Sequence, residues 1–391
     1  MTSQCYIHEV AAICALGQDL QSINDQLFSV QTSPLVVTDS YSPGRALPLG
    51  VVERIPEQAD TRNNALLLSA AVKLIPAVDA LKAQYGAHRI GVVLGSSTSG
   101  IAEGEAAIAS LVQTGSFPPA YHYTQQEIAA PSEFLARTLG AAGPAWTIST
   151  ACTSGAKALA SGARLLALDV CDAVIVGGAD SLCHLTVEGF LSLAAVSDQL
   201  CNPFSQNRRG INIGEGAAVM ILTKTPSQIR LVGIGETSDA HHISAPEPEG
   251  RGAEAAMRAA LAMAALEPEA VGYINLHGTA TEQNDRMESL AVGRVFGPQV
   301  ACGSTKGLTG HTLGAAGALE AVFCLLALKR ADGTLPRQLW DGVNDPELAP
   351  LENLGAPKVN QPLRYAMSNS FAFGGNNISL ILELCDGQPS R

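Results

Sequence analysis

One cysteine and two histidines have the types and settings that could do chemistry. Cys152 lies in TISTACTSGAKAL, between a short apolar run and a stretch of small residues. A thiol at a helix start meets unpaired N–H groups and the positive end of the helix dipole. Both favour thiolate, the nucleophilic form. The small residues beyond it let the helix pack closely and let a substrate approach the sulfur. The competing reading is a buried, inert cysteine acting as a small hydrophobe.

His277 follows an apolar run in NLHGTATEQND, and His311 lies in a glycine-rich turn, STKGLTGHTLGAAGALE, that opens a helix. Both are strand-to-helix junctions, where α/β sheets place their ligands. The separation from 277 to 311 fits no zinc-ligand spacing and no acidic ligand motif accompanies the pair, so no metal is expected. A thiol and two imidazoles at comparable junctions point to covalent catalysis. Lys306, just before His311, sits in a glycine-rich, apolar setting that predicts burial.

The elements that must position these residues alternate. RIGVVLGSS, AWTIST, DAVIVGGAD, AAVMILTK, RLVGIGE, VGYINLHGT, VACGSTK and ISLILEL read as buried strands. Helical stretches over 64–83, 154–168, 252–265, 285–294 and 314–330 lie between them. That alternation predicts a layered α/β fold. The strand–turn–small-residue helix around Cys152 recurs around His311, and each copy precedes a strand ending in Gly-Gly, VIVGGAD and FAFGGNN. The repeat divides the chain into halves at 1–230 and 231–391 that form one rigid body, with facing helix starts.

Hydrophobic residues make up 47 % of the chain and charged residues 15 %, which suits a compact, largely buried protein. With 24 basic and 36 acidic residues the net charge is −12, which argues against nucleic acid as a partner. The cysteines are odd in number, nine, and form no C-x-x-C, so they read as free thiols of a cytoplasmic protein. No signal peptide and no membrane span are expected. Neither a Walker motif nor a complete G-x-G-x-x-G occurs, so the glycines do not argue for a nucleotide.

Together, STACTSGAKAL, HGTATEQND, STKGLTGHTLGAAGALE and NSFAFGGNN resemble the elongating β-ketoacyl-(acyl-carrier-protein) synthases of the thiolase-like condensing enzymes. The motifs fall in the family's order from about residue 90 to the C-terminus. The resemblance implies a five-layered α-β-α-β-α sandwich of two similar halves, normally dimeric. It also implies decarboxylative condensation of an acyl group on Cys152 with a malonyl thioester. The Cys-His-His set departs from the Cys-His-Asn set of the initiating synthases and from the second cysteine of thiolases.

By this resemblance the backbone N–H groups of Cys152 and Phe373 form the oxyanion hole. Two neutral imidazoles, His277 and His311, donate to the enolate left by decarboxylation, and Lys306 supports them, paired with Glu320. Thr279 and Thr281 either hold the pantetheine arm or stabilise their own turn. Phe371 and Phe373 form a gate hinged at Gly374 and Gly375, latched by Asp239 and His242. Ala372 and Asn376 stand where the family usually has Gly and Thr, so gate mobility is expected to differ. GSSTSGIAEGEAA, near 95–107, is expected to help line the acyl pocket.

Ser205 and Arg209-Gly210-Ile211 depart from the family pattern and suggest a specialised branch, such as aryl-polyene assembly. No cofactor is implied, because substrates ride on the phosphopantetheine of an acyl carrier protein. That partner is acidic and needs a local basic patch, for which Arg62, Arg208 and Arg209 are the candidates. A second chain completes the assembly, either an identical copy or a chain-length-factor type of ketosynthase paralogue. Two competing functions are a non-elongating partner subunit, which lacks the active cysteine, and a cysteine-dependent thioester hydrolase, which needs water at the thiol.

Overall fold

The computed structural model describes residues 4–385. Twelve strands can be traced among them: β1 (Tyr6–Cys14), β2 (Val36–Thr38), β3 (Leu47–Leu49), β4 (Ile90–Gly95), β5 (Ala145–Ile148), β6 (Ala173–Asp180), β7 (Gly216–Thr223), β8 (Ile229–Ser238), β9 (Val271–Asn275), β10 (Cys302–Gly303), β11 (Tyr365–Phe371) and β12 (Asn376–Leu384). All but the β2–β3 hairpin join one sheet in the order β10-β9-β11-β12-β8-β1-β7-β6-β4-β5.

That order repeats. In the first half the edge-to-middle sequence is β5-β4-β6-β7-β1, and in the second it is β10-β9-β11-β12-β8. In each half, parallel pairing joins the three outer strands and antiparallel pairing the rest. The halves meet through a short antiparallel contact, Tyr6 opposite Arg230 and Ile7 opposite Ile229.

Two helices lie between the half-sheets, Ser154–Ala167 after β5 and Ala316–Leu328 after β10. The second is buried along its whole length, because it has sheet on both sides and the first helix beside it. Their contact is built from small residues. A Cβ added at Gly155 would lie 2.8 Å from the Gly314 carbonyl oxygen and 2.9 Å from the Ala318 nitrogen. Outer helices cover the other faces: Arg62–Ala71 and Ala130–Leu139 on the first half, Arg251–Ala264 and Glu282–Phe296 on the second. The result is the α-β-α-β-α thiolase-like sandwich.

Each predicted strand and helix is present, with ends shifted by a few residues. The strand at Tyr6–Cys14 and the helices Leu20–Ser29, Ile101–Thr114, Ala130–Leu139 and His184–Ser192 were not anticipated. Most of these carry polar or small residues that dilute the apolar period. The run Arg62–Tyr85 is apolar and long enough to cross a membrane by composition. Its Leu66, Leu67, Leu74 and Val78 are instead spent on the outer core of the first half.

Because the inner helices touch through backbone, overpacking there has no flexible side chain to displace. Gly155→Val should lower the thermal midpoint, equivalent to about 1–3 kcal/mol. An unchanged midpoint would show that the two helices do not depend on this close approach.

Candidate active site

Cys152 sits on a sharp turn between β5 and its helix. Ala151 adopts φ +54°, the left-handed region that costs a non-glycine residue energy. Neighbouring hydroxyls hold the turn. The Ser154 hydroxyl accepts from Thr150 N–H and donates to the Ala151 carbonyl, while Thr153 donates to the Thr150 carbonyl. The strain therefore belongs to a braced elbow that projects the sulfur.

His277 is held by carboxylates from the helix behind it. Glu288 accepts from the backbone N–H groups of His277 and Gly278, both at 2.8 Å. One turn earlier Asp285 accepts from Ala280 and Phe204 N–H. Burial pushes Asp285 up to about 6 and Glu288 up to about 7, with the N–H donors pulling against it. The sequence reading overlooked both residues. Their signal was an acid pair at i, i+3 directly after the histidine loop, which places both carboxylates on the helix face turned to that loop.

His311 is stitched to the first half although it belongs to the second. Its N–H donates to the Asn212 carbonyl at 2.6 Å, and its carbonyl accepts from Gly214 N–H at 3.0 Å. These bonds bring His311 Nε2 to 2.9 Å from Cys152 Sγ. The two imidazoles meet edge to face, with centroids 5.3 Å apart, and His277 packs on Phe371. Cys152 Sγ and a ring nitrogen of each histidine lie within 4.8 Å of one another. That is a donor set zinc could also take, which the sequence spacing did not suggest.

The electrostatics differ from the expectation of an easily formed thiolate. Burial pushes the Cys152 thiol up to about 12, against the pull of Lys306. Burial and then Lys306 hold both histidines well below 6.5, so both rings are neutral. Lys306 itself is buried and bonds Glu320 at 2.5 Å. The Nδ1 atoms of His277 and His311 are buried and meet no protein hydrogen-bond partner among the described residues.

A cavity of about 460 Å³ opens onto these groups. Phe190, Leu193, Ile211, Phe371 and Phe373 give it an apolar wall. Thr279 and Thr281 also line it, with their hydroxyls bonded to each other at 2.9 Å. Phe373 packs on Phe190. The stretch 95–107, expected to help line the pocket, does not contribute to this cavity.

Phe373 is followed by Gly374 (φ +80°) and Gly375 (φ +74°). The opposing loop reaches them through Asp239 N–H to the Gly375 carbonyl and Gly374 N–H to the Ile243 carbonyl. The Asp239 side chain also accepts from Asn377. His242 does not share in this latch. Its Nδ1 accepts from Ser244 and Ala245 N–H within its own turn. Ala372 has φ −115° and ψ 158°, which any residue adopts, so alanine in place of glycine adds no strain there. Asn376 accepts from Lys157 of the Cys152 helix at 2.8 Å.

Two of the three docking arginines are otherwise engaged. Arg62 reaches inward to the fully buried Glu215 and the Val52 carbonyl. Arg208 is buried in an ion pair with Asp345. Only Arg209 is exposed, at the cavity rim. Ser205, one of the departures from the family pattern, is buried and donates to Asp341.

Comparison with known proteins gives a consistent picture. Residues 51–227 match the N-terminal domain of the β-ketoacyl synthases and residues 229–339 the C-terminal domain. The chain is 31 % identical to 3-oxoacyl-[acyl-carrier-protein] synthase 2 of Staphylococcus aureus, over 96 % of this chain and 99 % of that one. It is also 31 % identical to nodulation protein E of Rhizobium leguminosarum bv. trifolii, over 97 % and 99 %. A chain of the solved complex between the ketosynthase ApeO and its chain length factor ApeC, from Xenorhabdus doucetiae, superposes with a TM-score of 0.93. That match has 45 % identity and covers 98 % of both chains.

The neutral histidines have a measurable consequence. Below pH 6.5 the unfolded chain binds protons that the folded site refuses, so stability must fall as pH drops from 6.5 towards the depressed folded-state values. Each pH unit in that window should cost up to about 1.4 kcal/mol per histidine. Denaturation at several pH values should show a steeper acid-side decline for the native chain than for the His277→Gln/His311→Gln variant. Parallel declines would mean the rings are solvated.

Proposed function

The chain belongs to the β-ketoacyl synthase family and is a condensing acyltransferase, and from that premise we propose a division of labour among its residues. Cys152 Sγ attacks the carbonyl of an acyl thioester carried on phosphopantetheine. Acyl–Sγ forms, the bond to the carrier sulfur breaks, and the thiol proton ends on that sulfur. A thiol held up at about 12 needs its proton removed as attack proceeds, and His311 Nε2 at 2.9 Å is in reach to relay it. The Cys152 and Phe373 N–H groups receive the developing oxyanion.

A malonyl thioester then loses carbon dioxide. The electron pair left behind forms an enolate, whose oxygen accepts N–H bonds from His277 and His311. Neutral rings suit this task, since they stabilise charge without protonating the carbon. The enolate carbon attacks the acyl carbonyl, a C–C bond forms and the acyl–Sγ bond breaks; Cys152 leaves as the thiolate and takes one proton from solvent, with His311 Nε2 in reach to pass it on. Lys306 acts from behind by its field on all three groups. Thr279 and Thr281 hold the pantetheine arm, and Phe371 and Phe373 gate the acyl end.

The single observation that carries this reading is the convergence of Cys152 with His277 and His311, all three buried, in one cavity. It disfavours a non-elongating partner, which has no use for a nucleophile. It also disfavours a hydrolase, because water must be kept from the acylated sulfur.

We further place the chain in polyene-type elongation, paired with a chain-length-factor subunit. The 45 % identical match to the solved ketosynthase–chain length factor complex supports that assignment. The departures at Ser205 and Arg209-Gly210-Ile211 support it as well. An acyl carrier protein docks at the rim through Arg209, with the exposed Leu193 lining the same cavity.

Two measurements test these assignments. Mass spectrometry after incubation with acyl-carrier thioesters should show an acyl adduct on the Cys152 peptide that vanishes in Cys152→Ala. His277→Ala and His311→Ala should slow carbon dioxide release from malonyl carrier about 10²–10³-fold. An adduct that persists without Cys152 refutes the nucleophile. Separately, Arg209→Glu should raise KM for the carrier at low salt with kcat little changed, whereas Arg62→Glu should mainly lower stability. A flat KM in Arg209→Glu removes the docking assignment.

A further inference from the structure

The mechanism above leaves the fully buried carboxylate of Asp180 without a task. Asp180 ends β6 and is 0 % exposed. Its Oδ1 accepts from the Ser96 hydroxyl at 2.7 Å, Ser97 N–H at 2.8 Å, Thr98 N–H at 2.9 Å and the Thr98 hydroxyl at 2.9 Å. Its Oδ2 accepts from Ser97 N–H at 3.1 Å and Gly314 N–H at 2.5 Å. Burial alone pushes the carboxyl up. The hydroxyl and N–H donors on both oxygens pull the other way and favour the ionised form.

The two oxygens serve different halves of the molecule. Residues 96–98 follow β4, the neighbour of β6 in the first half. Gly314 lies three residues after His311, in the second half. At its other end the His311 segment is bonded to Asn212 and Gly214 of the first half. Between these grips Leu313 is forced to φ +50°. The contact also needs glycine at 314, since a Cβ there would lie 2.8 Å from Asp180 Oδ2 and 2.8 Å from the Ser97 hydroxyl.

We propose that Asp180 is a positioning residue that acts as a strut, fixed to the first half through Oδ1 and setting the place of the His311 imidazole relative to Cys152 through the Oδ2–Gly314 bond. A strut differs from a scaffold contact in having a directional effect. Disturbing the Gly314 side moves His311, whereas disturbing the Ser96 side only loosens the β4 turn. This rests on the assignment of His311 to enolate stabilisation.

The experiment compares Asp180→Asn, Gly314→Ala and Ser96→Ala with the native chain. Asp180→Asn keeps the shape but turns an N–H₂ group towards an N–H donor. It should lower kcat for carbon dioxide release from malonyl carrier roughly 10- to 100-fold with KM within about threefold, because a misplaced catalytic group costs rate before binding. Gly314→Ala, which presses on the same bond from the other side, should reproduce this and stands in if Asp180→Asn fails to fold. Ser96→Ala should lower the thermal midpoint and leave kcat within about threefold of native.

Equal losses in Asp180→Asn and Ser96→Ala, or a stability loss with unchanged kcat in both Asp180→Asn and Gly314→Ala, would overturn the strut. No carbon dioxide release by the native chain would instead overturn the condensation mechanism. The strut would then be decided without substrate, by crystal structures of the variants. A Cys152–His311 separation lengthened in Asp180→Asn but not in Ser96→Ala supports it, and an unaltered separation refutes it.

Discussion

The structure depends on the close approach of two helices that carry almost no side chain where they meet. Ser154–Ala167 and Ala316–Leu328 come from different halves, and each begins beside a reactive group, Cys152 for one and His311 for the other. The 2.9 Å contact between sulfur and imidazole is possible only because Gly155, Gly314 and Ala318 allow the backbones to touch. The two halves of the large sheet fix the helices from either side. The catalytic geometry is thus a property of the whole sandwich and not of a loop, as expected where reacting groups must be held to fractions of an ångström.

The same packing sets the charges. A site closed by helices and sheet is dry, and dryness opposes ionisation of thiol, imidazole and carboxylate alike. The thiol is pushed up and the histidines are pushed down, so all three stay neutral. The ionisable groups that remain inside are paired or densely hydrogen-bonded: Lys306 with Glu320, Asp180 with its ring of donors, Glu288 with two backbone N–H groups. Lys306 is positive near Cys152, His277 and His311, so its field favours negative charge developing on any of them. Its buried pair is better understood as a fixed field than as a source of stability.

Much of this was legible in the sequence because the repeat carries it. The strand–turn–small-residue pattern around Cys152 and His311 marks the two inner helices, and the buried runs mark most sheet strands. The triad was legible because each member interrupts a strongly patterned segment with a reactive side chain. What could not be read was how polar residues are used once buried. Arg62 and Arg208 look like surface cations in one dimension, yet each turns to an acid far away in sequence, Glu215 and Asp345. Asp180, Asp285 and Glu288 look like ordinary acids, and only the fold gives them backbone donors. The strand Tyr6–Cys14 escaped notice because His8 and Glu9 interrupt its apolar run at a β-bulge.

The turn at Phe373 shows how local geometry limits what the gate can do. Ala372 lies in relaxed extended backbone, so replacing glycine there removes freedom without adding strain. Beyond it, Gly374 and Gly375 both have positive φ and can absorb a large rotation. Asn376 is then tied to Lys157, and Asn377 to Asp239. A rigid residue on one side and two side-chain bonds on the other confine the hinge to the two glycines. Movement of Phe373 must break the backbone bonds from Gly374 to Ile243 and from Asp239 to Gly375. The turn at Phe373 and the opposing loop are therefore held together by backbone bonds on both sides of the two glycines, and the turn can leave the loop only by giving those bonds up.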